Sequence, residues 1–231
     1  MKKSNYIVLL FTLIFLSGYS QSIDRLIDQS IKVDSLNVPK NSHQSYFPKE
    51  LVASEQNNNG KKFDSTSILN PELRFDLPTE WYSEYLYAMK EPLLFNRKTE
   101  KQIYRFTWLR TFDKPMTFRI EKWRSRYILY WKVLSGKGGY DSGELERTML
   151  KILSEKEWID FIDLINKADF WNMKLGRSFT GTDGSEWIME GVDPNNYRVV
   201  TVWSPTEGYF YEACNYLISL TDLNISEKKK Y

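Results

Sequence analysis

The chain is poor in the residues that carry most enzymatic chemistry: its 231 residues include one histidine and one cysteine. His43 lies in a polar stretch without periodicity, so no imidazole sits on a predicted helix or strand. Ser-His-Asp and Cys-His catalysis are excluded on that ground. One histidine and one cysteine also cannot supply a His/Cys zinc site, and no metal site is expected. A single thiol, Cys214, leaves no internal disulfide, so packing alone must hold the fold. Phosphate-binding loops are missing too. Gly136-Lys137 resembles the end of one, but the required earlier glycine falls at Trp131 and Gly138 stands where Ser or Thr should follow. Gly136, Gly138 and Gly139 lack the strand-turn-helix setting of a dinucleotide fingerprint. The loop around Asp183 lacks the alternating oxygens and closing glutamate of a calcium-binding hand. No cofactor is expected.

What is present begins with a leader. Lys2 and Lys3 precede an apolar run over 6–16, and small residues at Gly18 and Ser20 suit a cut ahead of Gln21. This is the layout of a secretory signal peptide, residues 1–20. The run falls short of the roughly 20 apolar residues that cross a bilayer, so no integral membrane segment is expected once the leader is gone. No cysteine follows it to carry a lipid. The leader takes two lysines with it and leaves 30 basic and 30 acidic residues. A neutral total gives no reason to expect nucleic acid as a partner. The chain is predicted to be exported, to the periplasm or beyond the cell.

Residues 21–70 read as a short amphipathic helix over 23–32 followed by a flexible tether rich in Ser, Asn, Lys and Asp. A single globular domain is expected over 71–225, with 226–231 as a charged, solvated tail. Within the domain, Thr79 can cap a helix carrying Trp81, Tyr82, Tyr85, Leu86 and Met89, which Pro92 stops. From Ile103 the period changes to two: Tyr104, Phe106, Trp108 and Phe112 alternate with Arg105, Thr107 and Thr111, which predicts a half-buried strand. Strands over 116–123 and 126–134 continue an antiparallel meander. A glycine-rich loop over 135–143 leads to a further short strand over 144–153. Ser154 with Glu157 forms a capping box ahead of a helix bearing Trp158, Phe161, Ile162 and Ile165. Strands over 186–192 and 197–203 flank a turn at Asp193–Asn196. A last helix carries Phe210, Ala213, Cys214, Leu217 and Leu220, with Cys214 as a buried small hydrophobe. The expected class is α+β, an antiparallel sheet of about five to six strands with helices packed mainly on one face.

Two sets of side chains are candidates for function. Asp183, Glu186 and Glu190 lie in one turn-strand segment, and Glu186 and Glu190 share a face. Asp183 and Glu190 could serve as the acid and base of glycoside hydrolysis if held at the right spacing. Solvent-facing alternation along a strand produces the same pattern. Arg110, Trp187, Tyr197 and Trp203 are the candidates for ligand binding: aromatic rings can stack on sugars or pack on a partner, and a guanidinium can meet an anion. Core packing explains the aromatics equally simply.

The segments Tyr104-Arg105-Phe106-Thr107-Trp108-Leu109-Arg110, Gly138-Gly139-Tyr140, Phe170-Trp171, Gly181 through Gly191 and Tyr197 through Pro205 resemble a family of uncharacterised exported bacterial proteins. The resemblance covers about residues 80–222. That family often has histidine after the tyrosine matching Tyr197. Arg198 stands there in this chain, which weakens an acid-base role at that position. The resemblance implies a bacterial source and export, and no reaction. Two functions therefore stand open: a non-catalytic binding or interaction module, for an envelope protein or a glycan, and a carboxylate-dependent hydrolase acting on a glycan.

Overall fold

Strand β2 (Gln102–Arg110) organises the structure, because it pairs on both edges and is covered on both faces. The computed structural model describes residues 23–24, 30–48, 79–173 and 183–231. On one side of β2 run β3 (Met116–Trp123), β4 (Arg126–Leu134) and β5 (Leu145–Ile152), the expected meander. On the other side lie β6 (Ser185–Val192) and β7 (Asn196–Trp203), a hairpin docked on β2. A two-residue β1 (Ile23–Asp24) pairs with Asn196–Tyr197, so the order is β1-β7-β6-β2-β3-β4-β5, antiparallel throughout. The class is α+β, built on one open antiparallel sheet.

Even-numbered residues of β2 point to the first face. Tyr104, Phe106 and Trp108 meet Phe118, Trp131, Trp187 and Met189 there. Helix α2 (Glu155–Lys167) and helix α3 (Tyr209–Ser219) close that face. The Ser154 hydroxyl accepts from Glu157 N, and Glu157 Oε2 accepts from Ser154 N at 2.7 Å, so the predicted capping box starts α2. Its buried stripe is Trp158, Phe161 and Ile165. Cys214 is buried on α3 as a free thiol, and burial pushes its pKa up.

The second face differs from the half-buried strand that alternation predicts. Arg105, Thr107 and Leu109 are as buried as their neighbours. Helix α1 (Thr79–Ala88) and residues 30–48 cover them. The segment 30–48 falls in the predicted tether, yet it is pinned to the body. Tyr46 and Phe47 are buried, Tyr46 N donates to Ser83 Oγ at 2.9 Å, and Asn37 Nδ2 donates to Leu93 O at 2.7 Å. Scattered apolar residues without a period can dock on a sheet face that already exists, a fact that periodicity does not register. The helix expected over 23–32 is replaced at Ile23–Asp24 by the pairing with β7. The leader and residues 49–70 of the tether lie outside the described residues. Among the described residues no helix is long and apolar enough to cross a membrane.

Candidate functional site

Strand β6 carries Glu186, Trp187 and Glu190, and its alternation sends Trp187 to the opposite face from the two glutamates. Glu186 and Glu190 turn to the α1 face, as expected. Glu190 sits directly opposite Arg105 in the β2–β6 register. Arg105 Nε and Nη2 both donate to Glu190 Oε2, at 2.8 and 2.5 Å, and the Tyr197 hydroxyl donates to Oε1 at 2.9 Å. Glu91 extends the cluster: its Oε2 accepts from Arg119 Nε at 2.8 Å, and its Oε1 lies 2.9 Å from Lys132 Nζ. Arg119 also pairs with Glu121, which pairs with Lys101 at 2.6 Å. Glu186 accepts from the Tyr82 hydroxyl at 2.8 Å.

The centre of this constellation is closed to solvent. Arg105, Glu91, Glu186 and Glu190 each have 0% exposure. Burial raises the Glu190 carboxyl above its ordinary pKa, opposed by Arg105 and Tyr197. Burial works on Glu91 in the same direction, but Arg119, Lys132 and Arg105 outweigh it and hold that carboxyl at about 2. Each carboxylate is thus matched by cations or hydroxyls, the arrangement that a buried charge requires. The network joins β2, β3, β4 and β6 to the chain at Glu91 and fixes the α1 face in register. It offers Glu190 no water and no glycosidic oxygen.

Asp183 is separate from it. It lies exposed in the turn entering β6. Glu190 and Tyr197 are therefore brought together, with Arg105 as their third partner, while Asp183 is not. Trp203 is half-buried at the end of β7, opposite Glu186. Its ring lies over Gly184, where a Cβ would come within 2.7 Å of it.

Trp187 faces the other way and has no exposed surface. Its ring packs on Phe106, Trp108 and Tyr211 at centroid distances of 5.0 to 5.3 Å. Arg110, opposite Ser185 in the register, lies over the Trp108 ring at 4.2 Å and is also buried. These two mark the end of the sheet where the β2–β3 and β4–β5 loops meet.

At that end the predicted glycine-rich loop folds back onto β2. Gly138 N donates to Asp113 O at 3.1 Å and Gly139 N to Thr111 O at 3.2 Å. A Cβ on Gly138 would lie 2.6 Å from the Arg110 backbone, so only glycine permits this approach. The Tyr85 hydroxyl braces the loop from α1 by donating to Lys137 O at 3.1 Å. The result is an open cavity of about 510 Å³ lined by Phe112, Ser135, Gly136, Lys137, Tyr140 and Asp141. Phe112 is 50% exposed and Tyr140 67% exposed. Their rings stand 6.1 Å apart at 36°.

Neither ring was legible as a site residue. Phe112 falls on the apolar beat of β2, but the strand ends at Arg110 and the turn carries Phe112 outward. Tyr140 sits among glycines that signal only a turn. Arg105 and Glu91 were hidden for a different reason, since charge in a strand and after a helix normally faces water. Among the described residues no three His, Cys, Asp or Glu side chains group as metal ligands. Comparison with family models, curated proteins and solved structures returns no match.

Proposed function

We propose that this chain is an exported, non-catalytic binding module that holds a glycan in the cavity between Phe112 and Tyr140. The carrying observation is that aromatic pair: two large rings, half or more exposed, on loops held by backbone bonds over a concave surface. Rings presented in this way offer apolar faces for sugar C–H groups, and Ser135, Lys137 and Asp141 offer donors and acceptors for hydroxyls. Lys137 and Asp141 are of opposite charge, which suits a neutral ligand. Export to the periplasm or cell surface rests on the leader over residues 1–20 and on the resemblance to exported bacterial proteins.

Hydrolysis draws no comparable support. Glu190 is sealed beneath α1 and residues 30–48, and Asp183 belongs to a different part of the surface. An acid-base pair needs both groups at one scissile bond.

The test is a glycan array followed by titration of each hit against the intact chain and against Phe112→Ala and Tyr140→Ala. Saturable binding that both substitutions abolish supports the reading. Binding that ignores them, or an array that stays blank, removes it.

A further inference from the structure

The charged tail is solvent-exposed over 226–229, as expected, but it is also docked: residues 229 and 231 make contacts at the end of the sheet. A short 3-10 turn, Glu227–Lys229, aims the last residues at the β2–β3 turn. Lys229 Nζ pairs with Asp113 Oδ1 at 2.8 Å, and the Tyr231 hydroxyl donates to Asp113 Oδ2 at 3.1 Å. Arg110 Nη1 donates to the Lys229 carbonyl at 3.3 Å. Ser185 Oγ donates to the Tyr231 main-chain oxygen, while Trp187 Nε1 donates to Ser185 Oγ at 2.8 Å and lies 3.5 Å from that same Tyr231 oxygen. One carboxylate therefore meets the side chains of residues 229 and 231, and Arg110 and Ser185, from β2 and β6, donate to their main-chain oxygens. Combined contact with side chains and backbone is how protein surfaces recognise peptide segments.

Two features distinguish this from a permanent anchor. No residue of 226–231 is fully buried and 226–229 are exposed, so partly exposed polar contacts hold the tail with little apolar burial. The receiving surface, in contrast, is largely buried, and one of its donors is unpaired. Arg110 is 3% exposed, its Nη2 donates to Lys114 O at 3.0 Å, and its buried Nε has no hydrogen-bond partner with the tail in place. A buried donor left unpaired is costly and marks a seat that its occupant does not fully satisfy.

We propose that Arg110, Asp113, Ser185 and Trp187 form a recognition seat for a peptide segment with the pattern lysine-any-tyrosine on another protein, and that residues 226–231 fill it as a displaceable internal stand-in. The charges complement: Asp113 supplies the anion that a lysine-bearing segment needs. The seat shares no residue with the lining of the Phe112–Tyr140 cavity, and its readout, the Trp187 indole, lies outside that lining, so a failure of peptide binding is distinguishable from a failure of glycan binding.

The experiment uses the full chain carrying Lys229→Ala and Tyr231→Ala, which removes the tail's own side-chain contacts at surface positions. The probe is a synthetic peptide with the sequence of residues 226–231, and the readout is the indole N–H resonance of Trp187. The peptide should shift that resonance saturably and bind at least about tenfold more tightly than to the unaltered chain, where the tethered tail competes. Adding Asp113→Asn should weaken binding about tenfold or more, and a peptide with alanine at the positions of Lys229 and Tyr231 should not bind. As a second route, millimolar peptide should perturb the same resonance in the unaltered chain. An unmoved indole signal in both proteins, or equal binding of the alanine peptide, would overturn the proposal.

Discussion

Arg105 and Glu190 face each other in register across β2 and β6, with Nη2 and Oε2 2.5 Å apart and neither side chain exposed. Two ions have been taken out of water in the middle of a sheet, and the Tyr197 hydroxyl and the Pro92 carbonyl complete their shell. Such a pair contributes little net stability compared with well-packed apolar residues, but half of it alone is severely destabilising. Its structural effect is to fix which strand lies beside which, since a slip of one residue would bury both charges unpaired.

That relationship sets the first prediction. Glu190→Gln and Arg105→Met should each cost about 3–5 kcal/mol, because each leaves a buried charge without its partner. The double variant Arg105→Met/Glu190→Leu should cost clearly less than the sum. Urea unfolding of the four proteins measures the coupling. Additive losses would show that the pair is not a unit.

Glu91 makes stability depend on acid. Its carboxyl is held at about 2 in the fold, below the ordinary value of 4.5. A depressed carboxylate stabilises the fold above its unfolded pKa, and that contribution disappears as pH falls through the folded value. Stability should therefore fall by on the order of 3 kcal/mol between pH 4.5 and 2 through this group. Glu91→Gln should be less stable at neutral pH and should lose that part of the acid limb. Denaturant midpoints at stepped pH values check the slope.

Trp187, Tyr140 and Phe112, all near one end of the sheet, should separate by stability. Trp187 fills the space between β6 and α3, so Trp187→Ala should cost about 3–5 kcal/mol. Tyr140→Ala and Phe112→Ala remove rings that stand largely in water and should stay within about 0.5 kcal/mol. Thermal melts of the three variants give the comparison directly.

These same energetics decide which features of the fold are visible in the sequence. Periodicity located β2 to β7, and the Ser154–Glu157 box located α2, because each depends on local alternation or a local cap. It misjudged the α1 face because burial of Arg105, Glu91 and Glu190 needs partners from distant segments: Glu91 follows α1, and Arg119 and Lys132 sit on β3 and β4. Charge alone marks such residues as surface. The docking of residues 30–48 was invisible for a related reason, since Tyr46 and Phe47 are two apolar residues without a pattern. Of the candidate residues, Glu190 with Tyr197 and Arg110 with Trp187 end in shared environments. The exposed pair Phe112–Tyr140 depends on a turn geometry and on a glycine approach that no spacing rule encodes.

The reading as a glycan-binding module meets its most direct test in saturation-transfer NMR with soluble fragments of cell-wall and dietary polysaccharides. Irradiating aromatic protons of the intact chain should transfer magnetisation to sugar C–H protons. Tyr140→Ala, folded and equally stable, should abolish that transfer. Absence of transfer from the intact chain, or transfer that survives the substitution unchanged, would contradict the account.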